Sequence, residues 1–179
     1  ISSYVPVPIL EIGSFLQDND IDRVRKLFAR ESKDFLQKYF KKELFFTDVE
    51  GKTKDEVLKN LCRKVEQEKG LPETFTASVL KREELTPTDY GNLVALPHPE
   101  RAFQERAFVA VAVLKEPVFW FRQKVQVVFL TAIGREEDEN LQQFYEATTD
   151  LILRPADVQN LIRHPDYDRL IQLLRRAEE

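Results

Sequence analysis

Two apolar-rich runs, Ala107–Leu114 and Val125–Ile133, dominate the middle of the chain. Each is far shorter than the roughly 20 residues that a membrane-spanning helix needs. Phe108–Leu114 is almost continuously apolar, which is typical of a strand that is buried on both faces. Because helical patterns precede and follow these strands, the runs favour a sheet that lies between layers of helices.

Helical signals flank the strand region on both sides. Thr53 stands three residues before Glu56, which is capping-box spacing, and Gly70 is expected to end the helix that follows. Further helices are predicted at about 72–84, 141–152, 158–162 and 170–174, and short strands at 93–96 and 118–121. The predicted fold class is α/β, with a single mixed β-sheet of about four or five strands sandwiched by helices.

The first forty or so residues differ from the rest of the chain. Val5–Pro8 is expected to be extended, because a proline restricts the residue before it. From Ile21 to Tyr39 the apolar residues recur at helical spacing. We therefore predict a linker and helical extension at residues 1–43 and a main domain at 44–179. The chain contains no Met and begins with Ile1, so we expect it to be part of a longer polypeptide.

The composition limits the kinds of partner that the chain can bind. There are 27 Lys and Arg against 31 Asp and Glu, a formal net charge of −4. We therefore expect no nucleic-acid binding by this fragment itself. The single cysteine, Cys62, allows neither an internal disulfide nor a Cys-rich zinc site. No segment predicts targeting or membrane insertion, and the lone thiol agrees with a cytoplasmic location.

One segment, Ser78–Pro99 (SVLKREELTPTDYGNLVALPHP), carries groups that suit phosphoryl chemistry. Arg82 is expected near a helix end, and His98 at the end of a short strand between two prolines that cannot donate to a sheet. A neutral imidazole is a nucleophile, and a nearby guanidinium balances the charge of a phosphoryl group. On position alone, a surface histidine and a solvated arginine are the commoner interpretation.

This segment resembles the mannitol/fructose-type enzyme IIA domain of the bacterial phosphoenolpyruvate:sugar phosphotransferase system. The shared pattern is an Arg-Glu pair that ends a helix, a Ser/Thr-rich turn, a Gly, a short strand and Ala-Leu-Pro-His, and the resemblance covers roughly residues 44–174. It implies that His98 accepts a phosphoryl group from the carrier protein HPr, usually on Nε2, and that Arg82 stabilises the charge. It implies no metal and no organic cofactor. It also implies a second partner, an enzyme IIB or an enzyme IIB-like domain of the same parent chain.

The chain departs from the resemblance at one site position. Mannitol-type members carry a second histidine at the start of the helix after the last strand, and the aligned position here is about Asn140. Asparagine can form hydrogen bonds but cannot carry a positive charge. The acidic run Glu136–Glu139 would repel phosphate if it lay nearby, and His164 is expected in a helix-end turn far from the site. These features put efficient onward transfer to a sugar-specific domain in doubt.

Three functions remain open from the sequence. The favoured one is the C-terminal enzyme IIA-like domain of a multidomain transcription regulator, where phosphorylation of His98 reports sugar availability and upstream domains bind DNA. The second is a transport enzyme IIA, a phosphotransferase component that passes phosphate to an enzyme IIB. The third is an interaction domain whose chemistry is lost. Leu96 and Phe103 flank His98 and are candidates for a partner-docking surface, with core packing an equal alternative.

Overall fold

The computed structural model describes residues 36–136 and 140–175 of the 179-residue chain. Residues 36–39 are helical and lead directly into the first strand. In chain order the elements are β1 (Phe40–Phe46), α1 (Lys54–Lys69), α2 (Thr74–Leu85), β2 (Asp89–Gly91), β3 (Val94–Ala95), β4 (Phe108–Phe119), β5 (Lys124–Ala132), α3 (Leu141–Ile152), α4 (Pro155–Arg163) and α5 (Tyr167–Arg175).

The described strands form a five-stranded mixed sheet in the order β1-β4-β5-β3-β2. β1 pairs parallel with β4, and β3 pairs parallel with β5. β4 and β5 form an antiparallel hairpin, and so do β2 and β3. The predicted α/β class, with a mixed sheet of four or five strands between helices, is confirmed.

Alternate residues of β4 face two apolar layers, one on each side of the sheet. Ala110 and Ala112 belong to the layer that includes α1 and α2. Val109 and Val111 belong to the layer that includes α3, α4 and α5. Because both faces of β4 are covered, an apolar residue is favoured at every position of its first half, which explains the continuous apolar run.

The helix signals predicted around α1 are confirmed. Thr53 has an extended N-cap conformation, and its hydroxyl accepts a hydrogen bond from the Glu56 N–H at 3.3 Å. In return the Glu56 carboxylate accepts from the Lys52 N–H at 2.7 Å. Gly70 ends the helix at φ 63°, a left-handed conformation that glycine adopts without strain.

The strands differ from the prediction in two places. β4 is one strand, Phe108–Phe119, where the sequence predicts two. Its register with β5 shifts between Val113 and Val118, and Pro117 is tolerated in this irregular stretch because the regular ladder is already interrupted there. The three-residue strand β2, Asp89–Gly91, was not predicted, because it is too short and polar to give a strand pattern.

The described part of the N-terminal segment belongs to the packed core. β1 begins at Phe40, ahead of Leu44, and Leu36 and Tyr39 are fully buried in the layer of α3–α5. Most of the predicted linker and helical extension, residues 1–35, lies outside the described residues. The division of the chain into domains therefore stays a prediction.

Candidate functional site

Helix α2 carries Arg82 in its last turn. The Thr86 N–H donates to the Arg82 carbonyl at 3.2 Å and closes that turn. Arg82 is half-buried, and its Nη1 donates to the Thr86 carbonyl at a long 3.4 Å. Within residues 36–136 and 140–175, no carboxylate forms an ion pair with Arg82. The guanidinium therefore keeps donors that an incoming anion can use.

A tight hairpin between β2 and β3 leads the chain towards His98. Gly91 (φ 107°) ends β2, and the two turn residues that follow, Asn92 (φ 51°) and Leu93 (φ 65°), have the positive φ that a type I′ turn requires. The Asn92 amide donates to the Ile152 carbonyl at the end of α3, at 2.9 Å. The Leu93 carbonyl accepts from the Val127 N–H at 3.0 Å. Contacts with α3 and β5 thus fix the start of β3.

His98 lies just beyond β3, at the end of the parallel pair β3 and β5. The Thr131 N–H donates to the Pro97 carbonyl at 3.0 Å, so the pairing continues up to the residue before His98. His98 is half-buried, whereas Pro97 and Pro99 are buried. Its Nδ1 lies 3.3 Å from the Leu96 carbonyl. Because a carbonyl only accepts, this hydrogen bond requires the proton on Nδ1 and leaves the lone pair on Nε2.

Two contacts hold the segment after His98 against α2. The Ser78 hydroxyl accepts from the Glu100 N–H at 2.9 Å, and Lys81 Nζ forms an ion pair with the Glu100 carboxylate at 3.0 Å. Ser78 lies one helical turn before Arg82, so both side chains project from the same face of α2. That face therefore carries Arg82 and also contacts the segment that follows His98.

Glu83, next to Arg82, is a buried acidic residue that the sequence did not single out. It is 1% exposed, and its carboxylate accepts three hydrogen bonds: from the Thr88 N–H at 2.8 Å, the Thr88 hydroxyl at 2.8 Å and the Trp120 indole N–H at 2.7 Å. The Arg-Glu pair of the resemblance includes this residue. Its partner Trp120 lies 37 residues away, so no local pattern could identify the contact.

Asn140 lies directly before α3, and its carbonyl accepts from the Phe144 N–H at 3.0 Å. The other end of α3 contacts the turn before β3 through Ile152. α3 therefore runs antiparallel to β3, and its first turn faces the same end of the sheet as His98. Of the acidic run, residues 137–139 lie outside the described residues.

The structure also locates three other residues that the sequence singled out. Leu96 and Phe103 are both half-buried, but they pack against opposite layers, Leu96 on the α3–α5 side and Phe103 on the α1–α2 side. The Phe103 ring meets the Phe75 ring edge to face at 5.3 Å. His164 is exposed and follows α4, with its N–H on the Asn160 carbonyl at 3.0 Å, which confirms the predicted helix-end turn.

Among the described residues, no cluster of three or more His, Cys, Asp or Glu side chains could hold a metal ion. In the same part of the chain, no helix is both long and apolar enough to cross a membrane.

The sheet and its two helical layers define an enzyme IIA-like fold. A chain in the solved complex of enzyme IIAMTL and phosphorylated enzyme IIBMTL from Escherichia coli superposes with a TM-score of 0.61 at 20% identity, over 75% of this chain and 97% of that chain. Residues 38–177 match the family of the phosphoenolpyruvate-dependent sugar phosphotransferase system, EIIA 2. The chain belongs to this family, which confirms the resemblance found in the sequence.

Two relatives from Bacillus subtilis (strain 168) are regulators. The chain is 34% identical to the probable licABCH operon regulator over 170 residues, which is 95% of this chain and 26% of that protein. It is 27% identical to the transcriptional regulator ManR over 120 residues, 67% of this chain and 18% of that protein. The chain thus spans about a quarter or less of these relatives, both of which are named for regulation.

Proposed function

We propose that this chain is a phosphoacceptor domain that serves as the regulatory input of a transcription regulator of sugar uptake genes. His98 takes a phosphoryl group from the phosphohistidine of HPr and releases it when HPr is unphosphorylated. The observation that supports this proposal is a contact between the segment after His98 and the helix that carries Arg82. The same face of α2 carries Arg82 and contacts, through Ser78, the segment that follows His98.

Phosphoryl transfer between two imidazoles needs positioning and charge compensation more than covalent machinery. The lone pair on Nε2 of His98 attacks phosphorus in line, the N–P bond of the carrier breaks, and its electron pair returns to the carrier imidazole. The hydrogen bond from Nδ1 to the Leu96 carbonyl orients the ring and stabilises the positive charge that develops on it. The Arg82 guanidinium, which has no carboxylate partner among the described residues, stabilises the phosphoryl oxygens.

The proposal is tested by labelling the 179-residue chain with phosphoenolpyruvate, enzyme I and HPr. We expect acid-labile phosphate on the wild type and none on His98→Ala. The matched control is His164→Ala, which removes the other histidine at an exposed helix end and should label like the wild type. Equal labelling of wild type and His98→Ala, or no labelling of the wild type, would contradict the proposal.

Arg82 is tested by the rate of the same reaction. Arg82→Gln removes the guanidinium and should slow labelling about 100-fold, the effect typical of losing a donor that stabilises developing negative charge. Arg122→Gln is the control, since it removes one positive charge at the β4–β5 turn, where the Arg122 N–H contacts Asp89. A rate for Arg82→Gln equal to that of Arg122→Gln would exclude Arg82 from the site.

One finding and one prediction support regulatory input over transport. The two Bacillus relatives described above are named as regulators, and the sequence predicts Asn140 at the position of the second histidine of the mannitol type. We therefore propose HPr as phosphoryl donor, the cytoplasm as location, and an enzyme IIB or IIB-like domain as a contact partner rather than an efficient acceptor. Restoration of sugar phosphorylation in a strain that lacks a transport enzyme IIA would favour the transport function instead.

A further inference from the structure

We infer that Glu83 is a positioning residue for phosphoryl transfer: its buried carboxylate holds the segment before His98 and the helix end that carries Arg82 in one fixed geometry. This inference rests on the proposed function of His98. It concerns a side chain that touches neither the phosphoryl group nor the carrier. Its role follows from the hydrogen bonds that its carboxylate accepts from Thr88 and Trp120, and from the bond by which Thr88 holds Leu96.

The first link runs from Glu83 to His98. The two oxygens of Glu83 fix Thr88 twice, through its N–H and its hydroxyl, each at 2.8 Å. The Thr88 carbonyl accepts from the Leu96 N–H at 3.1 Å. The Leu96 carbonyl is the acceptor that lies 3.3 Å from Nδ1 of His98. A displacement of Thr88 therefore moves Leu96, the residue that orients the imidazole.

The second link concerns Arg82. Because Thr88 and Trp120 supply three donors to Glu83, its carboxylate is already satisfied without a guanidinium. Adjacent helix residues also point about 100° apart, so Glu83 faces the core while Arg82 is half-buried at the site. The arrangement keeps an acidic neighbour from neutralising Arg82. The indole of Trp120 is 4% exposed, so the carboxylate is held in a dry, rigid position.

Glu83→Gln is the decisive variant because it preserves shape but replaces an acceptor oxygen with a donor NH₂. The amide oxygen can still accept from the Thr88 and Trp120 N–H groups, but the Thr88 hydroxyl can then bond to the new NH₂ only as an acceptor. The hydrogen bonds to a charged oxygen are lost, and Thr88 is held less firmly. Glu66 offers a matched control elsewhere in the fold. Its carboxylate also accepts from the N–H and the hydroxyl of one threonine, Thr76, at 2.9 and 2.6 Å, and it joins α1 to α2.

The experiment measures single-turnover phosphoryl transfer from phosphorylated HPr to the 179-residue chain. Here kcat denotes the rate constant at saturating phosphorylated HPr, and KM denotes the concentration of phosphorylated HPr that gives half of that rate. We expect Glu83→Gln to lower kcat about tenfold and to leave KM within about twofold, since a small misplacement slows transfer without changing the docking surface. Glu66→Gln should change neither constant, although both variants should lose some thermal stability. Equal constants for Glu83→Gln and Glu66→Gln would overturn the inference, and so would a rise in KM alone.

A second pair of variants covers the case in which Glu83→Gln does not fold. Thr88→Val removes the hydroxyl donor but keeps the backbone N–H bond to Glu83, and Thr76→Val does the same at the control site. We expect a fall in kcat of about threefold for Thr88→Val and no change for Thr76→Val. Identical kcat values would overturn the inference. If the wild type labels on His98 while these variants behave alike, only the role of Glu83 fails, whereas an unlabelled wild type refutes the proposed function.

Discussion

Gly134 occupies the most crowded glycine position in the described structure, just beyond β5. A Cβ at this position would lie 2.6 Å from the Arg106 carbonyl carbon, 2.7 Å from the Ala107 nitrogen and in hard contact with the Glu105 carbonyl. All three atoms belong to the backbone, so no side chain can rotate away. We therefore predict that Gly134→Ala destabilises the domain strongly.

The magnitude follows from the shift that the new methyl group requires. Ordinary contact begins at 3.4 Å, so the two segments must separate by at least 3.4 − 2.6 = 0.8 Å. The Arg135 and Glu136 N–H groups donate across this gap at 3.1 and 3.0 Å, and the same shift stretches both bonds beyond hydrogen-bonding distance. Overpacking costs about 1–3 kcal/mol, and each lost hydrogen bond costs about 1 kcal/mol. Alanine also lowers the conformational entropy of the unfolded chain, which stabilises the folded state by about 0.4–1 kcal/mol. We expect a net loss of about 2–5 kcal/mol.

Urea unfolding of the 179-residue chain measures this loss as a fall in the free energy of unfolding. Gly70→Ala is the control, because Gly70 has φ 63° but nothing within 4 Å of a new Cβ. That variant should lose only about 1 kcal/mol from left-handed strain, and Gly70→Asn should recover part of it. If Gly134→Ala proves no more destabilising than Gly70→Ala, the crowding argument is wrong.

Two further predictions concern ionisable side chains. Burial raises the pKa of the Cys62 thiol, so an aromatic disulfide reagent at pH 8 should label native protein at least about 100-fold more slowly than urea-unfolded protein; equal rates would contradict the buried position. The hydrogen bond from Lys64 lowers the pKa of Asp48, so its stabilisation is present above the unfolded pKa and is lost as pH falls through the folded one. Asp48→Asn should therefore cost a few tenths of a kcal/mol at pH 7 and nothing near pH 2, and a pH-independent difference would exclude this cause.

The sequence predicts well those features whose cause is local. The cap of α1 depends on residues three positions apart, and Gly70 ends that helix through its own backbone freedom. The apolar run of β4 reflects burial on both faces. Local signals also locate two site residues: the flanking prolines place His98 after a strand, and the end of the helical pattern places Arg82 in the last turn of a helix.

Features that depend on distant partners could not be predicted. The continuity of β4 through Pro117 depends on how β5 pairs across the irregular stretch. In the sequence, Glu83 is one of several charged residues in a helix, and its burial becomes evident only from its hydrogen bond with Trp120. Leu96 and Phe103 both neighbour His98 in sequence, but the sheet separates them onto opposite faces.

The charge balance of the proposed site favours a signalling role over a relay. A phosphoryl group brings about −1.5 to −2 charges, whereas Arg82 supplies one positive charge. Lys81 is already paired with Glu100, and Asn140, which the sequence predicts at the position of the second histidine of mannitol-type members, supplies no charge. Phosphorylation of His98 would therefore add more negative charge than Arg82 alone balances. A relay works best when positive side chains compensate the phosphoryl charge and the group passes readily to an acceptor. A sensor works best when part of that charge stays uncompensated, because a neighbouring domain can detect it.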